Sequence, residues 1–192
     1  MLVVDCNADV SIAEKDGRTP LHLAAFGGHL DVARMLVVDG HADVSIADED
    51  GWTPLHAVAR GGHLDVARML VDDGHANVEI ADKNGLTPLH IAARYGKSDV
   101  AHFLLDKGAK PDKGNVKKFA PIDFAARPLD AIGETVAPDV SLLCRMIRES
   151  GALIVLATKM VFDRSEREDR LKRLAECVAA DDTMTKRHCP DV

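Results

Sequence analysis

The chain has 192 residues, 46% hydrophobic but only 4% aromatic, and a net charge of −7 at neutral pH. Such a length and apolar content suit one elongated folded domain with a tail, its core made of Leu, Val, Ala and Ile. Residues 1–112 hold 18 Asp and Glu against 10 Lys and Arg, and residues 113–192 hold 13 against 14, so the first part lacks the basic face that nucleic-acid binding requires.

In chain order, Met1-Leu2-Val3-Val4-Asp5 is met again unchanged at 35–39, where it forms the second half of a longer helical pattern. The chain therefore opens on a partial unit, residues 1–13. Cys6 stands where later units have a helix-ending glycine, a change costing about 1 kcal/mol if the left-handed backbone persists there. No polar capping unit precedes it, although stacked arrays need one at each end. A fragment of a longer repeat protein, a truncated gene model and a natural short form with a frayed start all fit this beginning.

Complete units follow over about 14–47, 48–81 and 82–114. Each carries Thr-Pro-Leu-His, at 19–22, 53–56 and 87–90, with an interval of 34 residues. Thr19, Thr53 and Thr87 are helix N-caps, and the proline after each occupies the first helical position, where a missing N–H costs nothing. A short helix, about 20–26 in the first unit, carries the small apolar face Leu21, Leu23, Ala24 and Ala25. Gly27-Gly28 breaks it. A second helix starts near Leu30, with Asp31 in its first turn, where negative charge suits the helix dipole. Its apolar stripe is Val32, Ala33, Leu36 and Val37.

Gly40, Gly74 and Gly108 are placed to end the second helices in a left-handed conformation. Val44 and Ile46 then alternate with polar residues like an arm of a short hairpin, closed by Asp50-Gly51. No unit can bury its own apolar face, so the units must stack.

These features, above all the three in-register copies of Thr-Pro-Leu-His, resemble the ankyrin repeat family, whose units carry Thr-Pro-Leu-His-x-Ala at a period of about 33. The resemblance is clear over residues 1 to about 112 and degraded over 113–152. It implies an all-α solenoid of stacked helix-turn-helix repeats with β-hairpin fingers. The 34th residue is His41 or His75, inserted after the helix-ending glycine, where a local bulge is expected.

The fourth unit, 115–152, is degenerate. Ala120-Pro121-Ile122-Asp123 replaces the tetrapeptide, and 127–138 is longer than its counterparts. A second helix resumes over 139–151. Beyond it, Ser165-x-x-Glu168 reads as a capping box opening a charged helix to about 180. Leu171, Leu174, Cys177 and Val178 line its apolar face, and it is expected to be a C-terminal cap within 153–180, or a helix that binds a partner. Residues 181–192 are polar and expected to be disordered.

Chemistry is sparse. Seven of the nine histidines recur at the repeat period, which points to a structural task in every unit. The resemblance implies that the tetrapeptide His joins a hydrogen-bond network with the capping Thr and neighbouring backbone. No His and Cys stand at zinc spacing, and no phosphate-binding loop or nucleophile elbow is present. We therefore expect no enzyme activity, no metal and no cofactor. The four cysteines have no Cys-x-x-Cys spacing and no even ladder, which argues against a disulfide framework. The longest apolar run, 152–157, is too short to span a bilayer. A soluble, intracellular protein with no membrane association is expected, a monomer whose partner is another protein.

The resemblance also says where that partner would sit: on the concave face, through the finger tips and the exposed side of each first helix. The matching positions form two ladders, Arg18, Trp52, Leu86 and Phe119 beside Phe26, Arg60, Arg94 and Arg127, with Tyr95 adjoining. The sole Trp and several Arg give the composition of a binding hot spot, and an acidic-apolar partner segment is expected to suit it. A second function is adaptor for a ubiquitin ligase, because Val140–Arg148 resembles a recruiting box around Cys144. It departs from that pattern where Val140 and Arg148 stand four residues either side of the Cys. Ser11, Ser45 and Glu79 occupy the positions where some family members carry a hydroxylated Asn, so that modification is not expected.

Overall fold

The computed structural model describes residues 9–115, 119–125 and 139–150. Helices α1 (Pro20–Gly27), α3 (Pro54–Gly61), α5 (Pro88–Arg94) and α7 (Pro121–Ala125) form one row, and each packs on the next. Helices α2 (Leu30–Arg34), α4 (Leu64–Arg68), α6 (Ser98–Asp106) and α8 (Val140–Ser150) form the second row, each lying against its own first-row partner.

Side-chain size lets the rows approach closely. Ala24, Ala25, Ala59, Ala92 and Ala93 are buried in the first row, and Ala33, Ala67 and Ala101 in the second. Leu21, Leu55 and Leu89 fill the space between the rows, each worth about 1.5–3 kcal/mol when withdrawn from water. The expected stacking shows in one comparison. Leu23 and Val32 are 44% and 45% exposed in the first described repeat, whereas Ala57 and Val66, one repeat on, are 6% and 0% exposed beneath the preceding repeat.

The extra residue is absorbed by the second helix. Past Arg34 the chain continues as a π-helical turn, Met35–Asp39, and past Arg68 as Met69–Asp73. The Gly40 N–H reaches back five residues to the Met35 carbonyl (3.0 Å), and Gly74 to Met69 likewise. Gly40 and Gly74 are therefore not left-handed, contrary to expectation, with φ of −90° and −88°. The left-handed turn falls to His41 and His75, at φ 54° and 55°. Ala42 N–H then bonds the Leu36 carbonyl and Ala76 N–H the Leu70 carbonyl (both 2.9 Å). In α6, which has no insertion, Ala109 N–H bonds the Leu104 carbonyl (3.0 Å) across a loop one residue shorter, and Gly108 is left-handed as expected. The same closing bond is thus kept in each repeat, and the π turn takes up the difference.

The hairpin arms are a second departure, since no β-strand forms among the described residues. Each finger is a turn: Asp48 N–H bonds the Trp52 carbonyl (2.8 Å), Gly51 N–H bonds the Asp48 carbonyl (2.9 Å), and the Asp48 carboxylate accepts the Asp50 and Trp52 N–H groups. Successive fingers are joined by Glu49 N–H to the Asp16 carbonyl (2.9 Å) and Lys83 N–H to the Asp50 carbonyl (3.1 Å). Such sparse bonding makes no ladder, and Val10, Val44 and Val78 pack against the helical core instead. Gly51 is required in its turn: it has φ 86°, and a Cβ there would lie 2.8 Å from the Lys83 amide nitrogen.

The fourth repeat is built at both described ends. Asp123 stands where earlier repeats have His, and its carboxylate accepts the Ala120 N–H (2.9 Å). In α8 the buried residues are Leu142, Leu143, Met146 and Ile147, and the helix packs on α7 and α6. Asp139 caps it through the Ser141 and Leu142 N–H groups. Burial pushes the Asp139 carboxyl up, but hydrogen bonds from Ser98 and these amides outweigh it and hold the group below the ordinary carboxylate range. Arg145 ties α8 to α6 through Asp106 (2.7 Å) and the His102 carbonyl (3.2 Å). Residues 1–8 of the partial unit 1–13, the long segment 127–138 and the C-terminal segments 153–180 and 181–192 lie outside the described residues.

Candidate functional site

Three histidines fix the geometry of the face that bears the candidate residues. In α1 the Thr19 N–H donates to His22 Nδ1 (3.1 Å), and the Thr19 hydroxyl meets the same atom (2.9 Å). Because Nδ1 accepts a backbone N–H, the ring proton sits on Nε2, which donates to the Trp52 carbonyl (2.9 Å) in the next repeat. His56 repeats this with Thr53 and the Leu86 carbonyl (3.0 Å), and His90 with Thr87 and the Phe119 carbonyl (3.1 Å). Each ring thus caps its own helix and clamps the next repeat at the residue before the following cap. Burial holds all three imidazoles below the ordinary histidine range, and the bond to the carbonyl opposes it. The resemblance implied such a network from the tetrapeptide; the tie to the next repeat is visible only in three dimensions.

These clamps present Trp52 beside Arg60. The Arg60 guanidinium lies 5.5 Å from the Phe26 ring centroid, 5.9 Å from Trp52 and 5.5 Å from Tyr95. One cation therefore gathers aromatic rings from three successive repeats. The Trp52 indole N–H donates to the buried Asp82 carboxylate (3.2 Å), and its ring stacks at 6.0 Å on His56. Trp52 is half-buried and held from several sides, so it also serves the packing of the array. Arg94 lies over Tyr95 at 5.9 Å.

Between the first two fingers and the helices α1 and α3 is a groove of about 320 Å³. Phe26, Trp52, Leu23 and Ala57 supply its apolar surface, and Arg18 and Arg60 reach into it. Phe26 is 50% exposed. Four carboxylates also line it: Asp16, Asp48, Glu49 and Asp50. They were missed in the sequence, although Asp48-Glu49-Asp50 stands two residues before Trp52 and could have been found as an acidic run next to a candidate aromatic. Arg18 is paired with Asp16 through Nε (2.6 Å), and the hydrogen bond from Arg18 holds the Asp16 carboxyl below the usual range.

The other candidates are placed unequally. Leu86 departs from expectation: it is only 9% exposed and belongs to the core, because its neighbour Thr87 must be drawn in to cap α5 and its carbonyl must meet His56. Phe119 is exposed and packs at 6.2 Å on Phe124, away from the groove. Arg127 lies outside the described residues. Arg18, Phe26, Trp52 and Arg60 are brought together at the groove, Tyr95 adjoins it through Arg60, and Arg94 lies one contact further out, over Tyr95.

An ankyrin repeat family model matches residues 16–49, and a model of three ankyrin repeats matches residues 38–115. Together they take in more than half of the chain. This chain is an ankyrin repeat protein. No curated protein matches it closely enough to count as a relative. Ankyrin repeats are in general non-catalytic modules for binding other proteins. Among the described residues of this one, no group of three or more His, Cys, Asp or Glu could hold a metal ion, and no helix is long and apolar enough to cross a membrane. The segment likened to a ligase-recruiting box is α8, whose Leu142, Leu143, Met146 and Ile147 are spent on the ankyrin core.

Proposed function

We propose that this ankyrin array is a non-catalytic binding module that seats a segment of a partner protein in the groove between its first two described fingers, with Trp52, Phe26 and Arg60 as the principal contacts. The observation that carries it is the triple stacking of Arg60 on Phe26, Trp52 and Tyr95 beside that groove. Aromatic and Arg side chains already fixed by each other lose little freedom when a partner arrives, so more of the contact energy remains as affinity. Trp and Arg are also the side chains most often found at binding hot spots. Histidine clamps on both sides of Trp52 keep the surface rigid.

The test uses side chains that the core does not need. Phe26→Ala and Leu23→Ala alter exposed groove positions, and circular dichroism checks that each variant keeps its fold. In affinity capture with mass spectrometry, a protein retained by the parent and lost by the double variant identifies partner and face together. A loss of about 2 kcal/mol, near thirtyfold, is expected. Equal recovery of every captured protein by parent and variant refutes the groove as the site.

A further inference from the structure

We infer that the segment accepted by this groove is basic and apolar: a Lys or Arg adjacent to a large apolar side chain. The inference rests on the groove being the binding site and adds the chemistry of the occupant. Acidic-apolar character was expected from the Arg ladder, but the folded groove has the opposite balance. Arg18 is engaged by Asp16, and Arg60 is laid over three rings. One Asp48 carboxylate oxygen already takes two backbone N–H groups, while the exposed Glu49 and Asp50 carboxylates have no cationic partner among the described residues. Four carboxylates against two guanidinium groups leave the groove negative on its finger side and apolar along its helix side.

A volume of about 320 Å³ suits one or two side chains of a partner. A lysine fits both surfaces at once, with its methylene stem along Leu23, Phe26 and Ala57 and its ammonium at Glu49 and Asp50. An acidic segment would set carboxylate against carboxylate in the same space. Charges at such a rim act mainly on partner choice, association rate and salt response.

The test is selection from a displayed library of random linear peptides on the whole purified chain, followed by titration of the selected peptides. Trp52 is the sole tryptophan and reports occupancy by its own fluorescence. We expect selected peptides to place Lys or Arg beside an apolar residue, to change Trp52 emission and to weaken at least tenfold between about 0.05 and about 0.3 M salt. Glu49→Lys/Asp50→Lys, with fold verified by circular dichroism, should weaken them at least tenfold and turn a repeated selection toward acidic peptides. Acidic or uncharged peptides that perturb Trp52 in the parent would overturn the charge assignment and leave the groove standing. Peptides that bind without a Trp52 response and unaffected by Phe26→Ala would overturn groove and occupant together. Selection of no peptide would overturn the linear basic-apolar occupant, while the capture experiment would still decide the groove.

Discussion

Replacing His56 by Ala removes the most deeply seated of the three clamps. His56 is 0% exposed, and its ring satisfies the buried Thr53 N–H and the Leu86 carbonyl in the next repeat. Alanine leaves the Thr53 N–H unpaired, at about 1–3 kcal/mol, and takes from the Leu86 carbonyl one of its two bonds, at about 1 kcal/mol, since that carbonyl still accepts the Asp82 N–H (2.9 Å); lost ring packing adds to this. The sum is about 4 kcal/mol, a large part of the 5–15 kcal/mol typical of a folded domain. His56→Gln separates the two bonds. Glutamine at this position of a helix start can accept the cap N–H but cannot also reach Leu86, so about half the loss is expected. His63→Ala is the control, because its bond to the Phe26 carbonyl (3.0 Å) is exposed; water replaces it, and less than about 1 kcal/mol should be lost. Urea melts followed by far-ultraviolet circular dichroism measure all three. A His56→Ala loss below about 1.5 kcal/mol, or one equal to that of His63→Ala, would refute the clamp as a main support of the stack.

The same rings set a pH response. Burial lowers the folded-state values of His22, His56 and His90 below the ordinary 6.5, so the unfolded chain binds more protons between the two. Stability is then complete above about pH 6.5 and falls as pH drops toward the folded values, by at most about 4 kcal/mol per pH unit for three groups together; urea melts between about pH 7.5 and about pH 5 should show the fall, a shallower one in His56→Gln, and constant stability would disprove it. His41→Val forces a β-branched residue into φ 54° and should cost about 1–2 kcal/mol, whereas His41→Gly should stay within about 0.5 kcal/mol of the parent. Thermal melts distinguish these, and equal effects would contradict the left-handed assignment. Arg145→Ala removes the links of α8 to Asp106 and the His102 carbonyl at about 1–2 kcal/mol; hydrogen exchange should quicken in α8 and stay unchanged in α3, and uniform quickening would show that α8 is not a separately opening element.

The repeat architecture could be read early because its determinants are local and recur. Thr-Pro starts each first helix by cap chemistry, and the recurring interval sets which residues come into register on stacking. The π turns were not readable. The extra residue was visible as His41 and His75, but whether it became a loop bulge or a change in the helix depended on keeping the Ala42–Leu36 and Ala76–Leu70 closing bonds. The fingers form no strands among the described residues for a related reason, since alternation at Val44 and Ile46 also arises when a turn packs one side under helices.

The groove divides along the same line. By itself the sequence determined the family, the repeat register and the ladder positions of Arg18, Phe26, Trp52 and Arg60, because a fixed period carries equivalent residues to equivalent places. Only the tertiary structure decided that Leu86 is core, that one guanidinium holds rings from three repeats, and that the carboxylates of two fingers meet across one groove. Those facts depend on distances between residues some thirty positions apart in the chain, and burial and charge balance follow from such distances rather than from the order of the letters.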